Sequence, residues 1–290
     1  MMTMDRREFL KSTGMGLAGL IVLPETINHS EIASEDAYGI LYDAKACIGC
    51  RECESACKGR RDIPTINEPE LDADNWTIIK LYQEDNNQSV YSFIKRNCMH
   101  CIDPACVSAC PVGAMQKTPE GPVIYDETIC IGCRYCMAAC PFDIPKYEWE
   151  EVFPRVQKCD MCADRIAEGK HPACVEACKI GALKFGRRSD MLAEAHERIE
   201  SDPVNYVDKV YGENEVGGTS VLIISKVAHD KLGLPVLTSS SLPSLTWPWM
   251  KAVPGVAVVV ATLMTFLYWI TGRKLKVAVQ EESINDSNQS

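Results

Sequence analysis

Outside residues 47–178 this 290-residue chain contains no cysteine, and that gap excludes a disulfide-stapled secreted fold, whose cysteines spread through the whole domain. Basic charge is in deficit: 30 Lys and Arg stand against 40 Asp and Glu, with no basic stripe interleaved with aromatics, so nucleic-acid binding has no electrostatic footprint. Histidine is scarce, at five residues: His29, His100, His171, His196 and His229. None lies in the apolar run near the C-terminus, so that run alone cannot ligate a bis-histidine haem. There is no Walker A phosphate loop, no dinucleotide fingerprint and no isolated Ser/His/Asp arrangement.

What is present is sixteen cysteines in four groups of four: Cys47, Cys50, Cys53, Cys57; Cys98, Cys101, Cys106, Cys110; Cys130, Cys133, Cys136, Cys140; and Cys159, Cys162, Cys174, Cys178. The first and third groups read C-x2-C-x2-C-x3-C, in which three thiolates from one tight turn grip three irons of a cubane while the fourth leaves on the following helix. Structural zinc uses paired knuckles and has no use for a third cysteine two residues later. Four groups of four thiolates therefore imply four 4Fe-4S clusters. Cys110 and Cys140 are followed by proline, as in bacterial two-cluster ferredoxins, whereas Lys58 and Lys179 follow Cys57 and Cys178. No ligand position holds another residue type, so neither a three-iron cluster nor a Rieske centre is expected, and His100 reads as a loop residue beside a cluster.

The groups are two copies of two kinds. KACIGCRECESAC, ending at Cys57, matches ETICIGCRYCMAAC, ending at Cys140; DPACVSACPVGAM (103–115) matches HPACVEACKIGAL (171–183). The order A, B, A, B indicates a duplicated ferredoxin unit. Because the fourth cysteine of each group crosses to the other cluster, groups must pair in space, but spacing leaves the pairs open: 19 residues separate Cys110 from Cys130 and 18 separate Cys140 from Cys159. The expected fold is α+β: duplicated ferredoxin-like units binding four 4Fe-4S clusters, plus one C-terminal transmembrane helix. Short helices are expected to start at Cys53–Cys57 and Cys136–Cys140, and short strands at Val123–Tyr125, Leu183–Phe185 and Thr219–Ser225. Residues 58–97 read as an insertion with strands at Thr77–Tyr82 and Val90–Ile94, and 186–200 as an amphipathic helix with a solvated charged face.

The ends carry an address. Arg6-Arg7-Glu8-Phe9-Leu10-Lys11 precedes a mildly apolar run, so residues 1–33 read as a twin-arginine export signal, a route that carries folded cargo. Val253 to Thr271 gives nineteen residues without a charge, enough to cross a bilayer. Arg273, Lys274 and Lys276 follow that span and only Lys251 closely precedes it, so the tail at 272–290 is expected in the cytoplasm and the domain at 37–225 in the periplasm. Residues 226–252 read as an extended linker.

Asn97–Met115, Cys130–Tyr147, Lys158–Cys162 and Gly217–Ile224 resemble the four-cluster ferredoxin subunits of bacterial respiratory oxidoreductases, the beta subunits of membrane formate dehydrogenases and molybdopterin reductases. Its own export motif, four cubane motifs and one C-terminal span make the chain most similar to the electron-transfer subunits of hydrogenase-2 type nickel-iron hydrogenases. The resemblance implies ligand sets that spacing left open: Cys47, Cys50, Cys53 and Cys178; Cys57, Cys159, Cys162 and Cys174; Cys98, Cys101, Cys106 and Cys140; Cys110, Cys130, Cys133 and Cys136. It also implies a non-catalytic role beside two partners, a catalytic redox subunit such as a hydrogenase and an integral quinone-reactive membrane subunit.

Overall fold

The computed structural model describes residues 37–63, 69–84 and 87–287; the export-signal reading at 1–33 lies outside the described residues. In chain order the elements are β1 (Tyr38–Asp43), α1 (Glu52–Arg60), β2 (Ile78–Glu84), β3 (Asn87–Arg96), α2 (Ala105–Ser108), β4 (Met115–Lys117), β5 (Val123–Tyr125), α3 (Tyr135–Ala139), β6 (Lys146–Tyr147) and β7 (Val156–Gln157). They continue with α4 (Ala163–Ala167), α5 (Ala173–Glu176), β8 (Leu183–Arg187), α6 (Arg188–Ser201), a 3-10 turn (Glu215–Gly217), β9 (Val221–Ile224) and α7 (Leu242–Ser287).

β1 organises the domain because it has a strand on each side. It pairs antiparallel with β8 and parallel with β9, giving the order β8-β1-β9. Packed on both faces, β1 and β9 read as nearly continuous apolar runs, YGILYD and VLII. α6 covers one face with Met191, Ala195 and Ile199, spaced by four so that they fall on one helical stripe against Leu41, Leu222 and Ile224. The other face, through Ile40, Tyr42 and Ile223, joins the main core with Ile79, Ile94, Met99, Phe142 and Met161. Since β1 precedes the first cysteine group and β8 follows the last, this pairing draws the two outer groups together. β4 and β5 pair likewise between the two inner groups.

Two expectations are corrected and one is filled in. The 58–97 segment, read as an insertion, packs into the core: 58–60 finish α1, and the β2–β3 hairpin, running longer than expected, buries Ile78, Ile79 and Ile94. Two contacts lock it in place, the Tyr42 hydroxyl donating to the Phe93 carbonyl at 2.6 Å and the Ile79 N–H donating to the Glu54 carboxylate. The linker is not an extended arm, because Val227, Leu232 and Leu234 are buried in the main core and α7 already begins at Leu242. The charged face of α6 is not all solvated: Arg198 donates to the buried Asp43 carboxylate at 2.8 Å.

α7 is long and apolar enough to cross a membrane over Leu242–Glu281, and it overruns the expected span at both ends. Its apolar side chains, Val256, Val259, Leu263 and Phe266 among them, are exposed, as a lipid-facing helix requires. Ser241, just before it, donates to the Asp103 carboxylate at 2.6 Å, so the helix leaves the domain beside the second cysteine group.

Candidate iron-sulfur sites

The duplicated motifs adopt duplicated backbones. In Cys47-Ile48-Gly49-Cys50-Arg51, Gly49 has φ 72° and Arg51 φ 63°; in Cys130-Ile131-Gly132-Cys133-Arg134 the matching values are 68° and 62°. Two left-handed residues in each turn curl the chain around its sulfurs, and the arginine then begins a helix, α1 carrying Cys53 and Cys57 away and α3 carrying Cys136, with Cys140 just past its end. The B copies also agree: Pro104 and Pro172 cap α2 and α5, and Gly113 and Gly181 both have φ 69°. Backbone N–H groups point at sulfur, from Ala114 to Cys110 at 3.2 Å, Gly132 to Cys130 at 3.4 Å and Met161 to Cys159 at 3.4 Å.

All sixteen cysteines are free thiols, gathered into four neighbourhoods. Cys47, Cys50, Cys53 and Cys178 line one cavity with Tyr42, Ile79 and Leu183. Cys57 interacts electrostatically with Cys174 and Cys159, and Cys162 with Cys174. Cys101 does so with Cys98, Cys106 and Cys140, and Cys136 with Cys110, Cys130 and Cys133. Helix packing follows the same division, α1 on α5 between the outer groups and α2 on α3 between the inner ones. Electrostatic interactions also run between neighbourhoods, from Cys53 to Cys174, Cys159 to Cys98 and Cys106 to Cys136.

Whether the residues fit iron-sulfur clusters can be asked of the donors themselves. Burial pushes the thiols of Cys53 and Cys106 up to about 12 and those of Cys136 and Cys162 up to about 11. Such thiols stay protonated in water and become ligands when a metal displaces the proton. His100 adds an orphan donor. Burial, then Lys158, Lys117 and Lys95, hold its imidazole well below its ordinary pKa, so it is neutral. Its Nδ1 accepts the Val123 N–H at 2.9 Å, which leaves the proton on Nε2, a buried N–H with no acceptor among the described residues. Cluster sulfur would supply such an acceptor, so the donor set fits.

Sequence reasoning missed the buried cations. Lys95 and Lys158 lie inside the domain, and Lys117 directs its ammonium to the His100 carbonyl at 3.1 Å. A lysine in a cysteine-rich chain reads as surface, and the one available signal was that Lys117 and Lys158 flank cysteine groups or their strands.

Free thiols in four neighbourhoods, most of them buried or half-buried, on a duplicated fold, define an iron-sulfur protein of the polyferredoxin class. Two family models, each described as a 4Fe-4S dicluster domain, match residues 46–114 and 89–188. With sixteen cysteines these two domains support four 4Fe-4S clusters. The chain is 43% identical to a protein of Nitratidesulfovibrio vulgaris over 97% of its own length and 80% of the relative's. It is 34% identical to the hydrogenase-2 operon protein HybA of Escherichia coli O157:H7, over 82% of this chain and 86% of that one. Against the iron-sulfur subunit of the nitrate-inducible formate dehydrogenase of Escherichia coli it is 37% identical over 63% and 66%. The chain belongs to the HybA-like family of iron-sulfur ferredoxin subunits.

Proposed function

We propose that this chain is a non-catalytic electron-transfer subunit, carrying electrons between a periplasmic catalytic subunit, a nickel-iron hydrogenase, and an integral quinone-reactive subunit of the cytoplasmic membrane. Four 4Fe-4S clusters, when bound, supply one-electron transfer at potentials set by burial, charge and hydrogen bonds to sulfur. The proposed ligand sets, taken in spatial order, are Cys47, Cys50, Cys53 and Cys178 (first site); Cys57, Cys159, Cys162 and Cys174 (second); Cys98, Cys101, Cys106 and Cys140 (third); and Cys110, Cys130, Cys133 and Cys136 (fourth).

The observation that carries this reading is the serial electrostatic interaction of the four thiol neighbourhoods within a domain whose α7 is apolar enough to enter a membrane. The protein's part is to fix the sites, bury them from water and hold them next to one another. Fully thiolate-ligated cubanes leave no iron open to substrate, so catalysis lies with a partner. In this arrangement the α7 anchor and its charge bias put the C-terminus in the cytoplasm and the cluster domain in the periplasm, reached through the export signal.

Replacing Cys106 with Ser removes a ligand from the third site. In membranes containing the whole complex, hydrogen-to-quinone activity falls while hydrogen-to-dye activity of the catalytic subunit persists. Unchanged quinone reduction refutes the proposal. The formate dehydrogenase iron-sulfur subunits among the relatives favour a second reading, the same wire serving a formate or molybdopterin enzyme. Purification of the detergent-extracted complex, with hydrogen and formate each offered as donor to a dye, separates the two.

A further inference from the structure

Lys95, Lys117 and Lys158 turn inward where the cysteines gather. Lys95 and Lys158 are each only 4% exposed. Their acceptors are neutral: the Asn97 side-chain oxygen for Lys95, at 2.9 Å, and the Val123 and Cys159 carbonyls for Lys158. Lys117 donates to the His100 and Gly121 carbonyls and the Ser220 hydroxyl. Among the described residues none of the three forms an ion pair with a carboxylate. An ammonium buried without an anion is costly, so buried cations of this kind are paired or stand beside a metal site.

Lys95 shows where the anion would be. The thiols it interacts with most strongly are Cys174, Cys53, Cys159 and Cys57, and its cross-strand partner Ile79 lines the cavity of Cys47, Cys50, Cys53 and Cys178. Cys53 belongs to the first site and the other three to the second, so one cation acts on two sites. Lys117, by comparison, interacts most strongly among the thiols with Cys101, Cys98 and Cys106 of the third site. A cubane with four thiolates is an anion overall and gains one further negative charge on reduction. A fixed cation nearby stabilises the reduced form more than the oxidised one, and burial keeps solvent and salt from screening it.

We propose that Lys95 is a positioning residue for electron transfer, a buried counter-ion shared by the first and second sites that raises the reduction potentials of both together. It rests on the cysteine grouping proposed above. Sharing matters because neighbouring sites pass an electron fastest when neither is far uphill of the other, and one charge acting on two sites moves both in the same direction. The idea also gives the β2–β3 hairpin a purpose: its buried Ile78, Ile79 and Ile94 hold the strand from which Lys95 reaches inward.

The test is a potentiometric titration followed by electron paramagnetic resonance, on the full-length, cluster-loaded chain carrying K95M, K95Q or K95R, with iron per chain measured alongside. In K95M and K95Q two of the four potentials fall, each reduction equilibrium weakening about tenfold, which is about 59 mV for one electron. The other two stay in place, and K95R keeps all four. Full iron with four unmoved potentials in K95M overturns the proposal, as does an equal shift of all four. Iron lost from K95M and K95Q but kept in K95R supports it as a requirement for charge. Loss in K95R as well overturns it, because shape alone then explains the residue. A wild-type chain holding well below about sixteen irons refutes the cysteine grouping instead, a result separate from the lysine's own.

Discussion

Gly49 and Gly132 occupy equivalent places in the two A motifs, yet the structure gives them different surroundings. Both have positive φ, 72° and 68°, so alanine at either costs about 1 kcal/mol in backbone strain. A methyl group on Gly132 would meet only the Tyr147 hydroxyl at 3.1 Å, the end of a side chain that can move aside. On Gly49 it would lie within 2.6 Å of Phe93 ring carbons. That ring cannot retreat freely, because Tyr42 holds the Phe93 carbonyl and Tyr91 packs edge-on against it with centroids 6.1 Å apart. Overpacking adds about 1–3 kcal/mol, so Gly49→Ala should cost about 2–4 kcal/mol against about 1 for Gly132→Ala. Denaturant unfolding followed by circular dichroism measures both, with iron content reporting on the first site. Phe93→Ala combined with Gly49→Ala should recover part of the loss as a favourable coupling in a double-mutant cycle. Equal losses in the two glycine variants, or no coupling with Phe93, would refute the reasoning.

Asp43 ends β1 just before the first cysteine turn and accepts hydrogen bonds from Arg198 at 2.8 Å, Tyr206 at 2.7 Å and the backbone N–H groups of Lys45 and Ala46. Asp43→Ala should destabilise by about 3 kcal/mol, at the low end for a buried pair because Arg198 keeps Glu194, and the change is read from the denaturant midpoint. Burial alone would raise the pKa of Glu215, but Lys209 at 2.6 Å and the Gly212 N–H hold it below its ordinary value. Its contribution to stability is therefore complete above about pH 4.3 and lost as pH falls through the folded value, and Glu215→Gln should flatten that acid slope in unfolding curves. Truncation after Ser241 removes α7 and should leave the cluster domain in solution after an alkaline wash that retains the full chain in the membrane fraction.

Much of the architecture was legible because it is local. The A turns follow from C-x2-C-x2-C-x3-C with glycine at its third residue, and β5 and β8 follow from short apolar runs after glycine turns. The A, B, A, B order was legible too, but spacing alone could not choose partners. That choice depends on β1 pairing with β8, a contact spanning the whole cluster region. The linker misled because Val227, Leu232 and Leu234 sit among Ser, Gly and Pro, without the period of a helix or strand that marks a core segment. Lys95 misled for a different reason. Charge ordinarily marks the surface, and its burial has a rationale only beside its electrostatic interactions with Cys53, Cys57, Cys159 and Cys174.

Iron and acid-labile sulfide per chain, measured on the full-length protein together with the spectrum of its reduced form, test most directly whether the four thiol neighbourhoods are four cluster sites. The expected result is about sixteen irons and as many sulfides, with reduced signals broadened by magnetic coupling between neighbouring clusters. A protein saturated at about eight irons or fewer, or one that binds zinc in place of iron, would contradict it.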